Sequence, residues 1–121
     1  MTKRILVVED QDDNRRILRD LLTSVGFELI EAVTGTEGVR LAQAHRPDLI
    51  LMDIQLPEID GHEATRRIKS DPSLHAIPII VVTSYALSGD EAKALAAGAD
   101  AYVTKPFSPR QLLAKVRELL G

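Results

Sequence analysis

Five side chains in this sequence have types that suit phosphorus chemistry if the fold brings them together: Glu9, Asp10, Asp53, Thr83 and Lys105. Each follows or ends a short apolar run that reads as a strand. In an open parallel sheet the rim at the strands' carboxyl ends is where ligands bind. Asp53 closes the run Leu49-Ile50-Leu51-Met52, whose lack of alternation marks a strand buried on both faces. Glu9 and Asp10 begin Glu9-Asp10-Gln11-Asp12-Asp13, four carboxylates within five residues. Carboxylates meeting in a cleft repel and raise one another's pKa unless cations intervene. Lys105 offers one positive charge, and a divalent metal offers two. A ligand set of oxygens without His or Cys favours a hard ion such as Mg²⁺, which keeps several waters and is often completed by phosphate oxygens. A carboxylate beside Mg²⁺, a hydroxyl and an ammonium can carry out phosphoryl transfer. The carboxylate attacks phosphorus, while the metal, Thr83 and Lys105 neutralise charge on the transferred group. Taken singly, each residue also fits a plainer part, as a turn Asp, a strand Thr, a solvated Lys or an acidic helix start. It is their joint placement that points to a site.

The elements that must position these residues follow from pattern. Arg4 to Glu9 reads as a first strand, and Ile17, Leu18, Leu21, Leu22 and Val25 recur at helical spacing before Gly26. Phe27 to Ala32 is a second strand, nearer an edge. Thr34-Gly35-Thr36-Glu37 has the form of a capping box and opens a helix to about Ala44, though its apolar stripe (Val39, Ala42) is poor. After the central strand, Asp60-Gly61-His62-Glu63 caps a third helix running to about Ser70. Ile79 to Thr83 is the fourth strand, opened by Pro78. Ser88-Gly89-Asp90-Glu91 starts an alanine-rich helix that Gly98 ends. Ala101 to Thr104 is the fifth strand. Ser108, Pro109 and Gln111 then begin a helix whose apolar face is Leu112, Leu113, Val116, Leu119 and Leu120.

Strand then helix, five times over, implies an α/β domain: a doubly wound five-stranded parallel sheet with helices on both faces. The common order for five strands is 2-1-3-4-5, with its switch point between strands 1 and 3. There Asp10 and Asp53 would face each other. Lys105 starts two strands from Asp53, on the order of 10 Å away, a gap its side chain could largely close.

The bulk numbers bound the rest. With 121 residues the chain is long enough for one domain with a real core, and without cysteines there is no disulfide framework or thiol chemistry. A net charge of -3 and the lack of a basic run argue against nucleic-acid binding. The apolar run Ile5 to Val8 is far too short for a signal peptide or membrane span, so a cytoplasmic protein is expected.

Val7-Val8-Glu9-Asp10, Leu51-Met52-Asp53-Ile54-Gln55-Leu56-Pro57-Glu58-Ile59-Asp60-Gly61, Val82-Thr83-Ser84 and Tyr102-Val103-Thr104-Lys105-Pro106-Phe107 together resemble the receiver domain of bacterial response regulators, the CheY-like superfamily. The resemblance spans residues 1–121, with no output domain expected, and fits a free-standing receiver or one excised from a hybrid kinase. It implies the flavodoxin/CheY-like three-layer sandwich, a fold with the same 2-1-3-4-5 strand order. It implies that Asp53 accepts a phosphoryl group from a sensor histidine kinase or a histidine phosphotransfer protein. Asp10, Asp53 and the Gln55 main-chain carbonyl would bind Mg²⁺, with Glu9 acting mostly through water. Thr83 and Lys105 would meet the phosphoryl oxygens, and Tyr102 would swing inward to report the change. A cis bond is implied before Pro106. Ser84 stands where a small Ala is usual and adds a hydroxyl near the phosphate. Glu9 replaces a frequent Asp. The chain would then be a signalling receiver that catalyses only its own phosphoryl transfer and slow dephosphorylation. Gln55 and Tyr85 would border the path of attacking water.

A downstream protein would be met on the face of the fourth helix, fifth strand and fifth helix, through Tyr85, Leu87 and Tyr102. His45, His62 and His75 read as surface residues. Arg15, Arg16, Arg66 and Arg67 read as solvated helix faces, with Arg15 and Arg16 placed where a kinase could be met. Two rival readings compete with the receiver. One is a haloacid dehalogenase-like Mg²⁺-dependent phosphatase using Asp10, for which Asn14 replaces an expected Thr or Val. The other is a flavin- or nucleotide-binding module, for which the first loop carries carboxylates instead of a phosphate cradle.

Overall fold

The computed structural model describes residues 2–84 and 89–121. Five strands, β1 (Arg4–Val8), β2 (Glu28–Ala32), β3 (Leu49–Met52), β4 (Ile79–Thr83) and β5 (Ala101–Thr104), alternate with five helices. The helices are α1 (Asp12–Ser24), α2 (Gly35–His45), α3 (Gly61–Ser70), α4 (Asp90–Ala96) and α5 (Pro109–Leu120). All pairings are parallel and the order is β2-β1-β3-β4-β5, as the alternation implies. The β2 strand is an edge, with Glu28 exposed and its next three residues only half-buried.

Side chains on the central strands point alternately to the two faces, so one apolar run serves two cores. Ile5, Val7, Leu49, Leu51, Ile80 and Val82 pack with Leu18 and Leu22 of α1 and Leu112 and Val116 of α5. Leu6, Val8, Ile50, Met52 and Ile79 meet Ala42 of α2 and Ala64 and Ile68 of α3 on the other face. The poor stripe of α2 has a physical reason. A Cβ on Gly38 would lie 2.9 Å from a methyl of Val8, so the helix packs by closeness where larger side chains would hold it off.

Local signals set the helix starts. The Thr34 side chain accepts from the Glu37 N–H at 2.9 Å, while the Glu37 carboxylate reaches back to the Val33 N–H at 2.8 Å. Asp60 accepts from the Glu63 N–H at 2.8 Å, and Ser108 from the Gln111 N–H at 3.3 Å. Such caps are worth about 1 kcal/mol each. The expected cap at Ser88 lies outside the described residues, as do Tyr85 and Leu87; α4 begins after Gly89. Among the described residues no helix is long and apolar enough to cross a membrane.

The buried stripe of α1 is narrower than its periodicity implies. Leu18 and Leu22 are buried, but Ile17 is 55% exposed and Val25 is exposed as well. Ile17 lies past the edge of the buried face.

Candidate functional site

The register of β1 and β3 makes the site. Val8 pairs with Met52, and the Asp53 N–H then donates to the Val8 carbonyl at 3.0 Å. Glu9 and Asp10 therefore leave β1 beside the point where Asp53 leaves β3. One carboxylate oxygen from each of the three lies within 4.8 Å of the others. Glu9 and Asp53 are buried, at 1% and 8% exposed, whereas Asp10 is half-buried.

Lys105 follows β5 and crosses to this cluster. Its Nζ stands 3.2 Å from both Glu9 oxygens and 3.5 Å from Asp53 Oδ2. Its backbone N–H donates to the Thr83 carbonyl at 2.7 Å, which carries the β4–β5 pairing one residue beyond the strands. The Lys105–Pro106 peptide is cis. The Asp53 carboxylate is held by its own chain: Oδ1 accepts from the Ile54 N–H at 2.7 Å, leaving Oδ2 facing the lysine. Thr83 is buried at the end of β4, and Ser84 is exposed just beyond it. Gln55 is exposed on the loop after β3.

Burial pushes the Glu9 carboxyl up from 4.5 to about 7. The hydrogen bond and charge of Asp53 add to the rise, while the Lys105 charge and a hydrogen bond with Asn14 oppose it. The repulsion expected among the carboxylates is thus present, with loss of hydration the larger cause. The arrangement is an acidic, oxygen-lined pocket short of positive charge.

Three contributors escape a reading based on apolar periodicity. Gly61 lets α3 start against the site: a Cβ there would lie 1.9 Å from the Asp53 carbonyl oxygen. Asn14 lies near the Glu9 carboxyl and opposes the rise in its pKa. Arg15 corrects the expectation of a solvated face. Its side chain is only 14% exposed, its Nη1 donates to the Glu9 carbonyl at 3.0 Å, and its Nε lies 3.2 Å from Glu31. Arg16, Arg66 and Arg67 are exposed as expected. His62 is a second correction. Its side chain is 13% exposed, both ring nitrogens are buried without hydrogen-bond partners among the described residues, and Nε2 lies 4.0 Å from Asp90. His45 and His75 are exposed.

Tyr102 on β5 is half-buried beside Val81 and Ala94, and its hydroxyl is buried with no hydrogen-bond partner among the described residues. Burial, then the charges of Asp90 and Glu91, raise its pKa.

Known proteins share this fold. The chain belongs to the response regulator receiver domain family, whose pattern matches residues 5–117. It is thus a signalling receiver of the two-component type, not an enzyme of the turnover kind. Among its relatives is the polar-differentiation response regulator DivK of Brucella ovis, 44% identical over 121 residues, covering 100% of this chain and 98% of the relative. The fold also resembles the receiver domain of sensor histidine kinase PA1611 from Pseudomonas aeruginosa PAO1, which was solved with a magnesium ion coordinated in its active-site cleft. The identity is 36% and the TM-score 0.93, over 100% of this chain and 99% of that one. A CheY-like receiver domain protein from Methanospirillum hungatei JF-1 is 36% identical with a TM-score of 0.90, covering 99% and 94% of the two chains. The haloacid dehalogenase-like phosphatase reading finds no support in these matches.

Proposed function

We propose that Asp53 accepts a phosphoryl group from the phosphohistidine of a sensor histidine kinase or histidine phosphotransfer protein. The observation that carries this reading is the cluster of Glu9, Asp10 and Asp53 within 4.8 Å, with Lys105 as the ammonium that reaches it. An oxygen-only donor set with a carboxyl pushed up to about 7 fits a hard divalent cation. Asp10, Asp53 and the Gln55 main-chain carbonyl would hold Mg²⁺, with Glu9 acting through water. When bound, the ion supplies positive charge that neutralises the phosphoryl oxygens and the acceptor.

Asp53 Oδ2, the oxygen not engaged by the Ile54 N–H, attacks phosphorus. The P–N bond breaks and its electron pair stays on the departing imidazole. Lys105 neutralises charge on the transferred group. In the slow loss of the phosphoryl group a water attacks phosphorus and the Asp53 carboxylate leaves, with exposed Gln55 bordering its path. Among the described residues, an apolar cleft of about 410 Å³ lined by Ile17, Leu18, Pro106, Phe107 and Pro109 opens beside Lys105, and the exposed Ile17 gives the phosphohistidine partner a contact at the rim. Such partners would place this chemistry in the cytoplasm.

A phosphoryl group adds nearly two negative charges and three acceptors, enough to bias two conformations of one element. Thr83 and Ser84 stand at the end of β4 to meet it, and Tyr102 lies on β5 beside α4. A downstream protein would read the change on the face of α4, β5 and α5. The test is incubation with a small acyl-phosphate donor, with and without Mg²⁺, followed by intact mass. Wild type should gain one phosphoryl group only with Mg²⁺, and Asp53→Asn none. Equal gain by Asp53→Asn would refute the assignment.

A further inference from the structure

We propose that Arg15 is a positioning residue for the metal pocket, acting through the main chain of Glu9. The inference rests on the reading of Glu9, Asp10 and Asp53 as the Mg²⁺ site. Two consecutive residues of α1, Asn14 and Arg15, face the two ends of Glu9. Arg15 Nη1 donates to the Glu9 carbonyl at 3.0 Å, and Asn14 lies near the Glu9 carboxyl, opposing the rise in its pKa. The Glu9 N–H is meanwhile fixed on the Ala32 carbonyl at 3.0 Å. The turn by which the chain leaves β1, and with it the direction of both acidic side chains, is therefore pinned on each side.

Arg15 is itself held. Its Nη2 contacts the Asp12 carboxylate, and its Nε lies 3.2 Å from Glu31 on β2. Glu31 is fixed in turn by a two-pronged bond from Arg19, at 2.8 and 2.7 Å. That bond, more than any other contact, holds the Glu31 carboxyl below its ordinary range. A planar guanidinium can serve three acceptors at fixed angles, which an ammonium on a flexible stem does not do. The chain Arg19–Glu31–Arg15–Glu9 thus runs from the sheet edge to the pocket, with Arg15 joining Glu31 to Glu9.

The sign of the effect separates positioning from charge. Removing a cation beside three carboxylates should tighten Mg²⁺ binding by simple attraction. Losing the tether should weaken it, and groups that orient metal ligands typically change affinity on the order of tenfold or more. Calorimetric Mg²⁺ titration of the 121-residue wild type, Arg15→Met, Arg19→Met and Asp10→Asn provides the test. Arg15→Met keeps the aliphatic stem, and urea denaturation of each variant in chelator checks that it is folded. Arg19→Met breaks its Glu31 pair but leaves Arg15 its bonds to the Glu9 carbonyl and Asp12, so it controls for a general loss of stability. The expected result is about tenfold weaker binding for Arg15→Met, little change for Arg19→Met, and loss of binding for Asp10→Asn. Unchanged or tighter binding by Arg15→Met, with Asp10→Asn still unable to bind, would overturn the role of Arg15 alone. Full binding by Asp10→Asn would overturn the metal assignment and this proposal with it. A variant too unstable to titrate is replaced by Arg15→Lys, whose affinity should fall between those of Arg15→Met and wild type; wild-type affinity there would overturn the need for the planar fork.

Discussion

The raised Glu9 carboxyl should make the metal-free protein lose stability as pH rises, and one substitution should abolish that loss. Burial first, then Asp53, carry this carboxyl from 4.5 to about 7. Between those values the folded chain keeps a proton that the unfolded chain has released. Folding takes up a proton in that window, so stability falls through it as pH rises; below 4.5 both states are protonated and the contribution is flat. Each pKa unit corresponds to about 1.4 kcal/mol. The interval from 4.5 to about 7 therefore sets a ceiling of about 3 kcal/mol. With only 1% of Glu9 exposed, solvent does little to screen the effect. Glu9→Gln keeps the shape and an acceptor for Lys105 but cannot ionise. The assay is urea denaturation in chelator at about pH 5 and about pH 8, read at constant m. Wild type should lose roughly 2–3 kcal/mol more than Glu9→Gln between those two conditions. Parallel pH dependences for the two proteins would refute the buried, repelled carboxyl.

Two further substitutions probe the surroundings of the site. Gly61→Ala forces a methyl to within 1.9 Å of the Asp53 carbonyl oxygen, a backbone atom that cannot swing aside. It should cost at least about 2–3 kcal/mol in chemical denaturation, with phosphorylation of Asp53 slowed as well. His62→Leu removes two buried ring nitrogens that lack partners among the described residues. Its stability at about pH 8 should match or exceed that of wild type by about 1 kcal/mol, and a loss of 2 kcal/mol or more would show a contact the ring depends on.

Much of the fold was legible because its signals are local and repeated. The bounds of β4 and β5 follow directly from β-branched runs between Pro78, Gly98 and Lys105. Three expected caps, at Thr34, Asp60 and Ser108, form the hydrogen bonds their side chains suggest. The acidic residues and Lys105 were legible as a group because each ends a strand, and parallel strands deliver their ends to one rim. What stayed hidden depends on distance between elements. Ile17 fits the helical period yet lies beyond the edge of the buried face. Arg15 looks like any surface arginine until β2 brings Glu31 against α1. His62 is withdrawn from solvent because α4 closes over the start of α3, with Asp90 4.0 Å away. Gly61 is demanded by a carbonyl eight residues earlier, and no period encodes that approach.

The position of the acyl phosphate itself gives the most direct test. Borohydride reduces an aspartyl phosphate to homoserine, which marks the modified residue permanently for peptide sequencing by mass spectrometry. After incubation with the acyl-phosphate donor and Mg²⁺, homoserine should replace aspartate at position 53 and nowhere else. Homoserine at position 10, with Asp53 intact, would contradict the assignment of the acceptor.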